Sequence, residues 1–280
     1  MSTESVPRLR GRKAVGIYLG YLVAIVLFVV PVLFMIWSAF RPSIQITSNP
    51  FGIFSPVNLN NFITVFDNFD FARYILNSLI IAGTSTILGL VLGGPAAYVI
   101  VRRRWTHVGF FILIARMAPG VMFLLPLFFF SVSIGAPSNT FLNYTLLIAA
   151  HLIITLPLCI WLLIPFFEAV PESLEEASMI DGASVMRRFI SVVMPLVAPG
   201  VAVSITLSFV FSWNYFLFAL ALSNTETIPL PVIAFSFIGE GQSDYGALMA
   251  ASTLISLPAL ILSIVAQRWL VRGLTGGAVK

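Results

Sequence analysis

Few residues of this sequence could carry out covalent chemistry. The 280 residues contain one cysteine, Cys159, which excludes an intrachain disulfide and a cysteine metal cage. A nucleotide-binding phosphate loop needs a lysine followed by serine or threonine after a glycine-rich turn. Lys13 is followed by Ala14 and Lys280 is the last residue, so neither fits. We therefore expect no metal, no enzyme activity and no ATP hydrolysis by such a loop in these residues. If ATP drives this protein, a separate subunit must supply the site.

A group of acidic and basic residues lies between positions 168 and 195. Pro171 suits the first turn of a helix, and the acidic residues that follow it favour a helix N-terminus. The pair Asp181 and Gly182 predicts a turn. Arg187 and Arg188 then lie near the end of a second short helix, where cations are favoured.

Apolar residues recur every three positions on both predicted helices of this segment. They are Leu174, Ala177 and Ile180, then Ala183, Met186 and Phe189. The pattern predicts two short amphipathic helices joined by a sharp bend. Such an element fits either a groove in a partner protein or the surface of a membrane, and the pattern alone does not choose between them.

The chain as a whole is too apolar to have a water-facing surface. Hydrophobic residues make up 59% and charged residues 9%, whereas ordinary globular domains have about 25% charged residues. The mean hydropathy is +1.02. This composition excludes a soluble enzyme, a disordered protein and a nucleic-acid-binding domain. Six runs are long enough for a membrane helix of roughly 20 residues: 15–40, 74–101, 108–134, 142–167, 196–222 and 246–271.

The basic residues predict the direction of the spans. If the N-terminus is inside, 12 of the 15 Lys and Arg residues lie in inside segments, Arg41 and Arg73 lie outside, and Arg116 lies within a span. Basic loops are retained in the cytoplasm. We predict an all-α, six-helix membrane protein with both termini cytoplasmic. Its parts are an N-terminal segment (1–14), the membrane domain (15–271) with its cytoplasmic segment (168–195), and a C-terminal tail (272–280).

The six runs contain neither Asp nor Glu. Proton-coupled carriers usually relay protons through intramembrane carboxylates or histidines. His151 is the one histidine within a run, and it is either a relay or a hydrogen-bonded packing residue. Sodium coupling through backbone carbonyls remains open.

The bent segment also has a distinctive sequence. E-A-S-M-I-D-G-A at 176–183 is followed by Phe189, by V-V-M-P at 192–195 and by Pro199. This run resembles the EAA loop of binding-protein-dependent ABC importer permeases, with Ser178 in place of the usual second alanine and Met194 in place of the usual leucine. The resemblance implies contact with a partner ATPase by Glu175, Glu176, Ala177, Ser178, Asp181, Gly182, Ala183, Phe189 and Pro195.

The resemblance covers most of the chain and points to the maltose-type (MalG-like) carbohydrate permeases. The matching runs are Y-I-L-N-S at 74–78, A-A-Y-V-I-V-R at 96–102, R-M-A-P-G at 116–120, S-W-N at 212–214 and the ending Q-R-W-L-V-R-G-L-T-G-G-A-V-K at 267–280. The family usually has an acidic residue after the Trp-Asn pair, where this chain has Tyr215.

The resemblance implies a type I ABC importer permease fold in a bacterial cytoplasmic (inner) membrane. The implied partners are a second permease subunit (MalF-like), a dimer of ATPase subunits (MalK-like), an extracytoplasmic solute-binding protein and a sugar. The chain itself would bind no cofactor, since the ATPase would hold ATP and Mg. Gly182 would allow the bend of the segment that transmits ATPase closure.

A sugar path needs hydrogen-bonding groups beside aromatic rings, and each such residue is otherwise a helix-packing contact. Our candidates are Asn77, Ser78, Trp213, Asn214 and Tyr215, with Thr84, Ser85, Asn143, Tyr144 and Ser212 in support. By resemblance, the outer loop 223–245 reaches toward the binding protein with Gly239, Glu240, Gly241 and Gln242 at its tip, or is an ordinary loop. The tail 273–280 either contacts the ATPase or is a solvated end.

Two alternatives remain from the sequence. One is an ABC permease for another solute, such as a polyol, a glycerol phosphate ester or a polyamine. The other is a secondary carrier or channel that acts alone.

Overall fold

The computed structural model describes residues 12–52, 56–238 and 244–276, and the regular structure within these ranges is helical throughout. This confirms the all-α prediction. Contacts divide the chain into two units, one formed by residues 1–68 with 237–253 and the other by residues 69–236 with 254–280.

In the first unit, a buried arginine, Arg41, follows the long helix α1 (Arg12–Ala39) and stabilises the chain reversal after it. The other helices of this unit are α2 (Ser43–Ser48), α3 (Asn60–Asn68) and the beginning of α14 (Tyr245–Gly276). Arg41 is fully buried and donates to the carbonyls of Pro50, at 2.8 Å, and Asn49, at 2.6 Å. The Asn61 amide donates to the carbonyls of Ala39 and Arg41, both at 2.8 Å. Arg41 therefore fixes the chain reversal that follows α1.

The second unit is built around three packed helices, α4, α7 and α11. Its helices are α4 (Phe71–Arg102), α5 (Thr106–Met117), α6 (Leu124–Ser133), α7 (Thr140–Glu168), α8 (Glu172–Ile180), α9 (Val185–Arg188), α10 (Met194–Leu196), α11 (Ala198–Asn214), α12 (Phe216–Leu222), α13 (Leu230–Ser236) and the rest of α14. Short 3₁₀ turns occupy Gly120–Phe123 and Ala136–Ser138, and a π turn occupies Phe189–Val193.

Two glycines set the close approach of α4 and α7. A Cβ placed on Gly89 would lie 3.2 Å from Thr155 Oγ1, and one on Gly93 would lie 3.2 Å from Cys159 Cβ. Small residues let membrane helices approach closely. Asp70 and Asn139 cap the N-termini of α4 and α7 by accepting from Arg73 N and Leu142 N, as the capping preference for Asp and Asn predicts.

Four helices are long and apolar enough to cross a membrane: α1, α4, α7 and α14. The six predicted spans are reached within the described residues only if two bent helix pairs each count as one span. The predicted third span, 108–134, is therefore wrong as a continuous helix, because α5 and Gly120–Ser133 meet at 83°. Ala118 is extended before Pro119, since a residue preceding proline avoids the helical region.

The predicted fifth span, 196–222, is also broken. Residues Val185–Leu196 and α11 meet at 81° on either side of Val197. Pro199 has no amide hydrogen to donate back to Pro195, so the helical hydrogen bonds cannot run through this point. A second break follows at Tyr215, with φ −85° and ψ 78°, and separates α11 from α12.

Candidate coupling surface and substrate path

The helices α8 and α9 form a bent unit, residues 172–188, that we call the elbow. Pro171 precedes α8, and Ser184 caps α9 by accepting from Arg187 N. Gly182 lies between them with φ +78°, a backbone region that favours glycine. Its amide donates to Met179 O at 3.0 Å, which ends α8. The predicted pair of short helices with a bend at Gly182 is confirmed.

The outward face of the elbow is apolar and uncovered. Leu174 is 44% exposed, Ile180 88% and Met186 65%. These are three of the positions whose spacing predicts an amphipathic surface. Exposed apolar side chains grouped on a short polar element indicate a contact surface. The elbow therefore has the features required for docking to a partner.

The opposite face of α8 carries a buried carboxylate. Glu175 is 6% exposed, and its Oε1 accepts from Arg102 Nε at 2.5 Å. The Tyr98 hydroxyl donates to Glu175 Oε2. Arg102 also donates to the carbonyls of Phe167, at 3.3 Å, and Val170, at 3.2 Å. We call Glu175, Tyr98 and Arg102 the anchor.

An aromatic cluster lies beside the anchor. The Tyr98 ring centroid is 5.8 Å from that of Phe167 and 5.1 Å from that of Phe189, within the range of favourable ring pairs. Phe167 and Val193 are fully buried in the same cluster. Phe189, predicted to contact the ATPase, thus packs partly inside the chain.

The predicted coupling residues divide by exposure. Glu176, Ala177, Asp181, Gly182 and Pro195 are exposed, Ser178, Ala183 and Phe189 are half-buried, and Glu175 is buried.

Two predicted path residues on α4 hold the segment that follows α12. The Asn77 amide donates to Glu226 O at 2.9 Å and Ile228 O at 2.8 Å, and its oxygen accepts from Tyr144 Oη at 2.5 Å. Ser78 Oγ accepts from Leu230 N at 2.7 Å. These side chains are buried and hydrogen-bonded within the chain.

The other three path residues lie at the break between α11 and α12. Trp213 is buried and donates to Ile255 O at 3.0 Å. Asn214 is exposed and donates to Val210 O in its own helix. Tyr215 is half-buried. Of the five predicted path residues, only Asn214 is exposed.

The histidine within α7 is part of a hydrogen-bonded chain across three helices. His151 Nδ1 lies 2.8 Å from Ser212 Oγ, which lies 2.9 Å from Ser85 Oγ. These contacts are those of the packing alternative for His151.

The predicted loop tip, Gly239, Glu240, Gly241 and Gln242, lies outside the described residues.

Comparison with known proteins decides the family. The profile described as "Binding-protein-dependent transport system inner membrane component" matches residues 85–276, more than half of the chain. The chain belongs to this family. Its membership confirms the resemblance seen in the sequence, and the matched region contains the elbow and the anchor.

Curated relatives resemble this permease over nearly its whole length. The diacetylchitobiose uptake system permease protein DasC of Streptomyces coelicolor is 33% identical over 267 residues, covering 92% of this chain and 95% of the relative. The trehalose/maltose transport system permease protein MalG of Thermococcus litoralis is 29% identical over 275 residues, covering 96% and 97%.

A solved structure shares the fold. The crystal structure of a bacterial ABC transporter involved in the import of the acidic polysaccharide alginate matches with a TM-score of 0.72 and 20% identity. The match covers 93% of this permease and 98% of that chain. The predicted permease fold is confirmed.

Sequence reasoning missed the partners of Glu175. Tyr98 and Arg102 lie in the run A-A-Y-V-I-V-R, four residues apart and so on one face of α4. That spacing was the signal from which a shared partner of Tyr98 and Arg102 could have been predicted.

Sequence reasoning also missed the contacts of Arg116, whose guanidinium lies 5.1 Å from the Trp161 ring centroid and 5.9 Å from that of Phe211. A cation stacked on two rings links α5 to α7 and α11.

Proposed function

We propose that this permease is one membrane subunit of an ATP-driven importer that takes up a sugar or a related carbohydrate. Family membership supports the transport role, and the substrates named for two relatives, diacetylchitobiose and trehalose or maltose, support the carbohydrate class. The observation that carries the proposal is the exposed apolar elbow, because it provides a surface for a protein that supplies the energy.

The proposed complex contains four kinds of subunit. A second, similar permease completes the membrane pathway, two ATPase subunits bind ATP and Mg, and an extracytoplasmic binding protein delivers the sugar. Family membership supports a location in the bacterial inner membrane. The basic residues support an orientation with both termini and the elbow in the cytoplasm.

The elbow has the mechanical features that this role requires. The positive φ of Gly182 fixes the angle between α8 and α9, and the outward apolar side chains of both helices provide area to bury in a cleft of the ATPase. Closure of the ATPase dimer on ATP would then displace the elbow and switch the membrane helices between inward-facing and outward-facing arrangements.

Reconstitution in proteoliposomes tests this function. The permease is purified with its sister subunit and ATPase, and uptake of labelled disaccharides is measured with and without ATP and binding protein. We expect uptake only when all components are present. Accumulation by the permease alone, without an ATPase, would contradict the proposal and favour a secondary carrier. A polyol or polyamine as the ligand of the binding protein would contradict the carbohydrate class.

A further inference from the structure

One side of the elbow is fastened to the membrane helices by the hydrogen bonds of Glu175. Glu172 and Glu176 of α8 are exposed, whereas Glu175 is 6% exposed. A carboxylate removed from water is costly unless it is paired and hydrogen-bonded. Glu175 meets this condition, because both of its oxygens have partners within the chain.

Those partners join three helices. Tyr98 and Arg102 lie one turn apart near the end of α4. Arg102 also donates to Phe167 O in the last turn of α7 and to Val170 O just beyond that helix. The Glu175 carboxylate therefore ties α8 directly to α4 and, through the guanidinium, to α7. The side chains of Arg102 and Glu175 are 15% and 8% exposed, so water screens this pair weakly.

We infer that Glu175 is a positioning residue that makes α8 move together with α4 and α7, and that it does not contact the ATPase. This inference rests on the proposed function. It reassigns Glu175 from the predicted docking surface, because its carboxylate oxygens face Arg102 and Tyr98. Docking is left to the outward residues, such as Ile180 and Met186, and the anchor carries the resulting displacement into the membrane domain.

Uptake per ATP separates positioning from a purely structural role. A loss of folding would lower the amount of complex, and ATP hydrolysis and uptake would fall together. A loose anchor would instead let the elbow move without the membrane helices, so hydrolysis would continue while uptake fell. The ratio is therefore the informative measurement.

The main test compares E175Q with E172Q in the reconstituted complex. Both remove one charge from α8, but Glu172 is exposed and makes no anchor contact. We expect E175Q to retain the ATPase and to lower uptake per ATP by about 5-fold or more, the usual lower range of a coupling effect. E172Q should match the unaltered protein. An unchanged ratio in E175Q, or loss of the ATPase from a folded E175Q permease but not from E172Q, would overturn the inference.

A milder variant covers the case in which the E175Q permease fails to fold. Y98F removes one hydrogen bond to Glu175 and keeps the ring that packs on Phe167 and Phe189. We expect an intermediate loss of uptake per ATP with normal assembly. Full retention of the ratio would count against the anchor.

A stability cycle tests the anchor without ATPase or solute. Melting midpoints of the solubilised permease are measured for E175Q, Y98F and the double variant. We expect the double variant to shift the midpoint by clearly less than the sum of the single shifts, because the two side chains share one contact. Additive shifts would refute the anchor. Failure of the unaltered protein to bind any ATPase would refute the proposed function, while this cycle would still report on the anchor.

Discussion

Substitution of Gly182 isolates the backbone geometry of the elbow from its contacts. The residue has φ +78°, and a Cβ built there would meet no atom within 4 Å. The cost of Gly182→Ala is therefore the cost of a left-handed backbone for a residue with a Cβ, about 1–2 kcal/mol. Asparagine tolerates this region better than alanine, so Gly182→Asn should cost less.

The free-energy cost of substituting Gly182 can be converted into an expected loss of affinity for the ATPase. A penalty of one to two kcal/mol lowers the population of the observed bend roughly 5- to 30-fold. If the ATPase binds this bend, its apparent affinity falls by at most the same factor. We expect titration of labelled ATPase against solubilised permease to give the affinity order Gly182, then Asn, then Ala.

The control is Gly83→Ala in α4. Gly83 also has no atom within 4 Å of a built Cβ, but it lies in a helix without a positive φ. Alanine there should leave binding unchanged and slightly favour the helix. Equal affinities for the Gly, Asn and Ala proteins at position 182, or an equal loss from Gly83→Ala, would refute the reasoning.

Three further experiments test packing in the second unit. Gly200→Ala would place a methyl group in the Phe166 ring, so the melting midpoint should fall. Adding Phe166→Ala should restore part of the lost midpoint. Purely additive effects of the two substitutions would contradict this contact. Asn143→Leu removes the donor to Leu222 O and should lower the free energy of unfolding by about 1–3 kcal/mol. Hydrogen exchange in the segment after α12 should become faster, and unchanged exchange would argue that Asn143 does not hold this segment. Gly93→Leu should separate α4 from α7 and reduce the amount of folded permease recovered from size-exclusion chromatography. A normal amount would show that the α4–α7 interface can accommodate the larger side chain.

Local features of the elbow could be predicted from the sequence because their causes are local. Proline before α8, glycine between the helices and serine before α9 each determine the backbone within a few residues. The structure has each of them where those residue types favour it. The family resemblance adds which partner such an element would meet.

The anchor could not be predicted in the same way. Glu175 and Arg102 are 73 residues apart in sequence, and α4 is apolar over most of its surface. Periodicity shows which side of α8 Glu175 occupies but does not show which membrane helix will meet it. The docking assignment of Glu175 came from its position in a motif, whereas burial depends on tertiary packing.

The helix breaks escaped prediction for a different reason. Hydropathy continues across Pro119 and across Tyr215, so a run of apolar residues looks like one span whether or not the backbone is helical throughout. Proline within such a run did not settle the matter, because membrane helices tolerate proline when neighbours satisfy the freed carbonyls. The extended backbone at Ala118 is what separates α5 from the turn that follows it.

The break at Pro119, here the first, and the break at Tyr215, here the second, lie against each other. Backbone that leaves a helix at membrane depth must be covered by protein or line a water-filled space. A Cβ on Gly120, just after the first break, would meet the Tyr215 hydroxyl, which lies at the second. The absence of a side chain at Gly120 thus makes room for Tyr215. Protein atoms from each break therefore cover the non-helical backbone of the other. Asn214 lies beside that contact and is the predicted path residue that stays exposed. Its amide donates to Val210 O in its own helix and does not bind another helix.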